Sequence, residues 1–411
     1  MNHADTWILG AGVSGHAAAA LLEASGESYC LLSESSEARN ELPPGVPKLG
    51  ILSPGFPAEH PWISELRARG LELLPEFEWG ARHLQGPILA VTGSLGKTSM
   101  AHLAKELAEA AGLRCSLSGN SHRPVSDLAL KTPEAELHVL ELSSFQLEQL
   151  QHFRPKAALC LNLKANHLDR HGNLESYAQA KAKLCSNQED GDLCLWPEDY
   201  PVKVSGQAER VQLDPTRLPQ GLQGPLAQSP LRENVLMLLS IMAPLEALPS
   251  LERCRDILEA FQFPPHRQQR LDIAGAGLVM DDSKSSCLAA SLAAVAALPD
   301  PLHLILGGKG KGEALEEVGQ CLRKRELKLY LFGEEAERME AAWKPMGIPL
   351  ERHPSLEPLM ASLWAQRSGE EPLCFSPGCA SFDQFPGFEV RGQIFQGLVR
   401  DWAARKPLNV I

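Results

Sequence analysis

The chain has 411 residues, 44% hydrophobic and 22% charged, with a formal net charge of −12. Such a length carries two or three domains with full cores. Acidic and basic residues are interspersed, which argues against a nucleic-acid groove or an anionic membrane as the main partner and leaves room for a pocket that takes an anionic small molecule.

In chain order, the first predicted unit is "TWILGAGVSGHAAAALLEASGESYCLLSES". A strand meets Gly10-Ala11-Gly12-Val13-Ser14-Gly15, a helix follows, and a second strand ends near Ser33. This is a G-x-G-x-x-G turn in a βαβ setting, with Glu34 where a ribose-binding carboxylate is expected. NAD or any other phosphate-bearing ligand suits such a turn. A second unit opens on the short apolar run Ile88–Val91, followed by Gly93-Ser94-Leu95-Gly96-Lys97-Thr98-Ser99. Met100, Leu103 and Leu107 then recur at helical spacing. A glycine turn between a strand and a helix start directs backbone N–H groups and the helix dipole at one spot, which suits a phosphate. Lys97 adds a full charge and Thr98 a hydroxyl for Mg²⁺, although Gly93 and Gly96 are closer together than in the common P-loop pattern.

Strands continue at "LHVLELSS" and "KAALCLNL", with a helix near "ESYAQAKAKL"; residues 187–229 read as irregular. Beyond His266, "GLVMDD", "LHLILGG", "LKLYLFG" and "EPLCFSPG" read as strands with helices between them. The alternation predicts three α/β domains with largely parallel sheets, placed at residues 1–86, 87–264 and 265–411. The ten cysteines include no C-x-x-C pair and read as free thiols of a reducing cytosol. The chain runs almost directly into a strand, and no apolar run approaches the ~20 residues that span a bilayer. The expectation is a soluble, cytoplasmic protein, taken to be monomeric.

Two further residues carry chemistry. Glu141 ends an apolar strand, and a carboxylate at the C-terminal end of a parallel strand faces the ligand side of the sheet, where it can meet Mg²⁺. The strand "KAALCLNL" leads to His167 at the same expected edge. One histidine and one carboxylate beside a phosphate loop make a divalent-cation site.

The phosphate loop, "ELSSFQLE", "NHLDRHG" followed by "YAQAK", His266-Arg267, "DDSKSS", "LILGGKGKG" and "SPGCASFDQFPGFEVRG" occur in the order seen in Mur ligases. The chain resembles that family from the Gly10 turn to the helix after Phe388, and within it the branch that adds D-glutamate. The resemblance implies a Rossmann-like N-terminal domain that binds a UDP-sugar in place of NAD, a central P-loop ATPase-like domain, and a Rossmann-like C-terminal domain for the amino acid. It implies ATP and two Mg²⁺ ions, with UDP-N-acetylmuramoyl-L-alanine and D-glutamate as substrates and an acyl phosphate between them. Lys97, Glu141, His167 and Lys181 are then catalytic, and Thr98, Glu141, His167 and Lys181 serve the metal, with Lys181 carbamylated by CO₂. Its neighbour Lys183 is expected to be a solvent-facing lysine of the same helix. Gly93 to Ser99, Asn234, Arg267 and Asp282 are assigned to ATP, and Val13, Ser14, Asn120, Ser143 and Gln146 to the UDP-sugar. Lys284, Ser286, Lys311, Ser381, Phe382 and Phe388 are assigned to D-glutamate.

The chain also departs from the family pattern. Leu95 stands where a polar residue, often asparagine, is usual, and Asn166 where aspartate is usual. The Gly-x-His-Asn stretch is replaced by "QSPLREN", which leaves only Asn234, and "SESS" lacks the usual basic residue. The first domain looks shortened between Glu34 and Ser53. A ligase acting on another amino acid or acceptor, and a non-catalytic nucleotide-binding protein, are the two alternatives.

Overall fold

The computed structural model describes residues 4–33, 42, 45, 47–57, 59–120, 123–227, 231–367 and 371–405. Glu34 and residues 228–230 of "QSPLREN" lie outside the described residues, as does much of the stretch between Glu34 and Ser53. The chain forms two compact units, one of Met1–Leu163 with Glu175–Phe261 and one of Lys164–Leu174 with Gln262–Ile411.

The first unit holds two sheets. β1 (Thr6–Leu9), β2 (Tyr29–Leu32), β3 (Leu49–Leu52) and β4 (Glu72–Pro75) pair in the order β2-β1-β3-β4, all parallel. β5 (Ile88–Thr92), β6 (Cys115–Gly119), β7 (Leu137–Glu141), β8 (Ala157–Cys160), β9 (Leu193–Leu195) and β10 (Glu209–Arg210) form the second sheet. Its order is β10-β9-β8-β5-β7-β6, again all parallel. β5 and β7 are buried at every residue, as expected of continuous apolar runs covered on both faces by helices. The helix Lys97–Ala110 buries Met100, Leu103 and Leu107, the stripe read from the sequence.

A short helix, Glu76–Ala81, leaves β4 and joins the two sheets. A Cβ on Gly80 would lie 2.7 Å from the Ser126 nitrogen, so only glycine admits the close approach of the helix Val125–Lys131. Glu76 accepts the Ser126 N–H at 2.7 Å, and Glu78 accepts those of Gln151 and His152 at 2.9 and 2.6 Å. Two buried carboxylates thus take up backbone donors that would otherwise lose their solvation.

The second unit contains one sheet. β11 (Gln269–Leu271), β12 (Val279–Asp281), β13 (Leu302–Gly307), β14 (Leu327–Phe332), β15 (Leu350–Arg352) and β16 (Leu373–Gly378) pair in the order β11-β12-β16-β13-β14-β15. All neighbours are parallel except β11 with β12. Separate apolar clusters cover its two faces, one around Trp343 and Leu329, the other around Phe375 and Phe395. All ten cysteines are free. No helix among the described residues is long and apolar enough to cross a membrane.

Burial raises the Glu76 carboxyl from its ordinary 4.5 to about 7, despite the opposing Ser126 hydrogen bonds. The folded protein therefore keeps this proton to higher pH than the unfolded chain. The stability it contributes is complete below pH 4.5 and is lost as pH rises through 7. Glu76→Gln removes that titration, so thermal melting of the wild type should fall relative to the variant between pH 5 and 8 by up to about 3 kcal/mol. Parallel melting curves across that range contradict the assignment.

Candidate active site

β5 lies between β7 and β8 and delivers the chain into the loop Gly93–Gly96 at its C-terminal end. Gly96 adopts φ +84°, and a Cβ there would lie 2.5 Å from Asn234 Nδ2, so this position needs glycine both for its conformation and for space. Ser94, Thr98 and Ser99 are buried, while Leu95, Gly96 and Lys97 are half-buried. Asn162, two residues past β8, holds the loop in place. Its Oδ1 accepts the Leu95 N–H and its Nδ2 donates to the Leu95 carbonyl, both at 2.9 Å. The Asn162 carbonyl takes the Ser94 N–H at 3.0 Å, and Nδ2 also reaches Asn234 Oδ1 at 3.1 Å. The backbone of Leu95 is thus fixed without any polar side chain at that position. Asn234 sits in the helix Leu231–Met242, against the loop.

The Gly93 carbonyl accepts from two lysines, Lys97 Nζ at 2.8 Å and Lys181 Nζ at 2.9 Å. Lys97 also donates to the Ser94 carbonyl at 3.2 Å. Lys181, 2% exposed in the helix Leu174–Ala182, lies 4.5 Å from the centre of the Tyr177 ring. Burial pushes its amine well below the ordinary 10.5; the Lys97 charge pushes the same way, and Cys160 and Glu141 oppose. Lys183 is exposed and donates to the Glu148 carbonyl at 2.5 Å. It opens a 3-10 turn, Lys183–Cys185, and is not in the helix of Lys181, which corrects the sequence expectation. Glu141 ends β7 at 1% exposure, with Oε1 3.3 Å from Asn120 Nδ2.

Thr98 and Glu141 offer oxygen donors of the kind Mg²⁺ takes. Among the described residues no three His, Cys, Asp or Glu side chains cluster into a metal cage. His167, with φ +56°, caps the short helix Leu168–His171 and belongs to the second unit, whereas Thr98, Glu141 and Lys181 belong to the first.

A cavity of about 700 Å³ in the first unit is lined by Val13, Ser14, Asn120 and Gln146, four of the five positions assigned to the UDP-sugar. It is completed by the Gly10 turn, by Ser53 to Phe56 after β3, and by Glu76, which sequence reasoning missed. Ser53 Oγ donates to the Gly10 carbonyl at 2.9 Å and ties two of these loops together. Ser143, the fifth position, caps the helix Ser144–Glu148 in a reciprocal box with Gln146.

In the second unit, loops after β12, β13 and β16 lie at the C-terminal ends of parallel strands, where open α/β sheets bind ligands. Lys311 Nζ donates to Ser286 Oγ at 3.1 Å and reaches Asn166 Oδ1 at 3.5 Å. Lys284 Nζ lies 4.1 Å and Arg267 5.6 Å from the Phe388 ring centre, so two cations flank one ring. Ser381 is buried, Phe382 is 73% exposed, and an isolated bridge pairs Lys309 with Ala380, linking the Lys311 and Ser381 loops. Asp282 is buried, accepting Ser376 Oγ at 2.6 Å and the Gln268 N–H at 3.1 Å; burial raises its carboxyl to about 7.

Residues 91–213 match the model of the Mur ligase middle domain. The UDP-N-acetylmuramoylalanine–D-glutamate ligase of Desulfovibrio desulfuricans is 31% identical, with 95% of each chain covered. The enzyme of the same name from Chlorobium chlorochromatii is also 31% identical, over 96% of this chain and 97% of the relative. Among solved structures, a MurF ligase from Thermotoga maritima in complex with ADP shares the fold with TM-score 0.61 at 15% identity, covering 98% of this chain and 96% of that one. A folylpolyglutamate synthase/dihydrofolate synthase from Yersinia pestis, complexed with AMPPNP and Mn, aligns with TM-score 0.57 at 16% identity, covering 79% and 92%. With a glycine-lysine loop of this geometry and 31% identity sustained over nearly the whole length, the chain belongs to the UDP-N-acetylmuramoylalanine–D-glutamate ligase family of Mur ligases.

Proposed function

We propose that the protein joins D-glutamate to UDP-N-acetylmuramoyl-L-alanine at the expense of ATP, in the building of peptidoglycan precursors. The observation that carries this reading is the meeting of Lys97 and Lys181 on the Gly93 carbonyl, at the mouth of a strand-loop-helix unit built for phosphates. A carboxylate is a poor electrophile. An oxygen of the L-alanine carboxylate therefore attacks the γ-phosphorus of ATP, the bond to the β-phosphate oxygen breaks, and ADP leaves. The amine of D-glutamate then attacks the acyl carbon; the C–N bond forms, the C–O bond to phosphate breaks, and the amine gives up a proton.

Phosphoryl transfer of this kind needs positioning and charge neutralisation more than covalent chemistry. Lys97 swings from the loop carbonyls to the β- and γ-phosphates, and the N–H groups at the start of the helix Lys97–Ala110 face the same charge. Thr98, Glu141 and the modified Lys181 of the first unit would hold Mg²⁺, which would supply charge neutralisation at the phosphate oxygens; His167, in the second unit, is the remaining ligand that the family resemblance implies. Lys181 is suited to carbamylation because burial pulls its amine well below the ordinary 10.5, which favours the neutral, nucleophilic form. From the neutral amine, its nitrogen bonds to the carbon of CO₂ and one proton is lost, leaving a carbamate carboxylate in place of the amine. Lys284, Ser286, Lys311, Ser381, Phe382 and Phe388 surround D-glutamate, whose two carboxylates need cationic and hydrogen-bonding partners in place of water.

Phosphate release tests the loop. Lys97→Ala is expected to lose about 10²-fold or more in turnover, and Lys97→Arg to recover it only in part. An alanine variant that releases phosphate at a near-normal rate contradicts the assignment. Stripping CO₂ and bicarbonate should lower activity, most at acid pH where amines are protonated and carbamates decompose. Lys181→Ala should be far more damaging than Lys183→Ala; equal effects return Lys181 to a structural role. In the amino-acid pocket, Lys311→Ala should raise the KM for D-glutamate by about 10- to 150-fold while the KM for ATP holds. Lys309→Ala, at an exposed neighbour, should do little, and like behaviour of the two variants overturns the pocket.

A further inference from the structure

Arg391 lies in the first turn of the helix Phe388–Arg405 and is 1% exposed. Its guanidinium reaches three loops. Nε donates to Ser283 Oγ at 3.2 Å, and Nη2 donates to the carbonyls of Ser283 and Ser285 at 2.6 and 3.5 Å. Nη1 donates to the Cys379 carbonyl at 3.1 Å. A Cβ on Gly308 would stand 3.0 Å from the same Nη1, so the glycine turn after β13 packs directly on the group. These are the loops that follow β12, β16 and β13 and that carry Lys284 and Ser286, Ser381 and Phe382, and Lys311. Only a planar fork with five donors serves so many acceptors at once.

The acceptors are neutral: three carbonyls and a hydroxyl. Asp383, Asp281 and Asp282 act on the guanidinium only as charges in its surroundings, and burial pulls its pKa down to about 10, which leaves it cationic at neutral pH. Because its hydrogen bonds all end on neutral oxygens, the charge is not cancelled by contact, and the part of its field that Asp281, Asp282 and Asp383 do not offset reaches the loops above it.

We propose that Arg391 is a positioning and specificity residue for the acidic amino acid: it sets the spacing of the three loops, and its charge beneath them favours a side-chain carboxylate. This rests on the ligase reading above. Arg391 falls within the motif "SPGCASFDQFPGFEVRG", where the family resemblance implies no role for it.

The test uses the full-length enzyme with saturating ATP and UDP-N-acetylmuramoyl-L-alanine, and follows phosphate release while D-glutamate or D-glutamine is titrated. Arg391→Met keeps the bulk and removes the charge; Arg391→Lys keeps the charge and removes the fork; Arg405→Met, at an exposed arginine of the same helix, is the control. Both Arg391 variants should raise the KM for D-glutamate by about 10- to 100-fold with the KM for ATP within about twofold of wild type. The preference for D-glutamate over D-glutamine should collapse in Arg391→Met and survive in part in Arg391→Lys, which a merely structural role does not predict. The inference is overturned if the folded variants keep both the KM and the preference, if turnover and every KM worsen together, or if neither variant folds. A wild type that turns over no D-glutamate sinks the ligase reading instead.

Discussion

Two lysines share one carbonyl, that of Gly93, and the rest of the candidate catalytic centre follows from how the protein tolerates this. One of the two is only 2% exposed; its lost hydration, and then the neighbouring Lys97 charge, pull its amine well below the ordinary 10.5. Lys181 is the one that yields. A half-buried Lys97 and a buried Lys181, whose amine is pulled down by burial first, are then two different reagents made from one residue type. The arrangement depends on a rigid loop, and the loop depends on Asn162, which pairs with both backbone groups of Leu95 and leans on Asn234. A leucine at position 95 is tolerated because the contact that matters there is made by its backbone.

Both units place their candidate sites by the same constraint. Parallel strands end together, so the loops after them converge on one edge of each sheet. In the first sheet this collects the Gly10 turn and Ser53 to Phe56. In the second it collects the phosphate loop and Glu141, and in the third the loops of Lys284, Lys311 and Ser381. A loop edge is only as definite as what lies beneath it. Glu76 and Glu78 secure the join of the first two sheets by taking backbone donors, and Arg391 does the converse in the second unit by giving donors to backbone carbonyls.

What the sequence disclosed was local. The strand Ile88–Thr92, the glycine turn and the stripe Met100, Leu103, Leu107 could be read because period and composition agree over a short span. Glu141 could be read because it ends an apolar run. β6 was missed because "CSLSG" puts two serines in a buried strand, and β3, β4, β11 and β15 because three or four residues show no period. Asn162 was missed for another reason: its partners lie 67 and 72 residues away in the chain, and no local pattern distinguishes it from any asparagine after a strand. The same holds for Glu76 and Arg391, which act through burial and long-range backbone contacts. Lys183 was assigned to the helix of Lys181 because spacing continues the pattern, whereas the helix closes at Ala182 and tightens into a 3-10 turn.

The central claim is that this phosphate loop activates a carboxylate for attack by one particular amino acid. Its most direct measurement incubates the purified protein with ATP, Mg²⁺ and UDP-N-acetylmuramoyl-L-alanine, offers a panel of D- and L-amino acids, and records phosphate release and product mass together. The account predicts that D-glutamate alone among them gives stoichiometric phosphate and a product heavier by one glutamyl residue. Equal use of L-glutamate, a preference for another amino acid, or ATP binding with no turnover contradicts it.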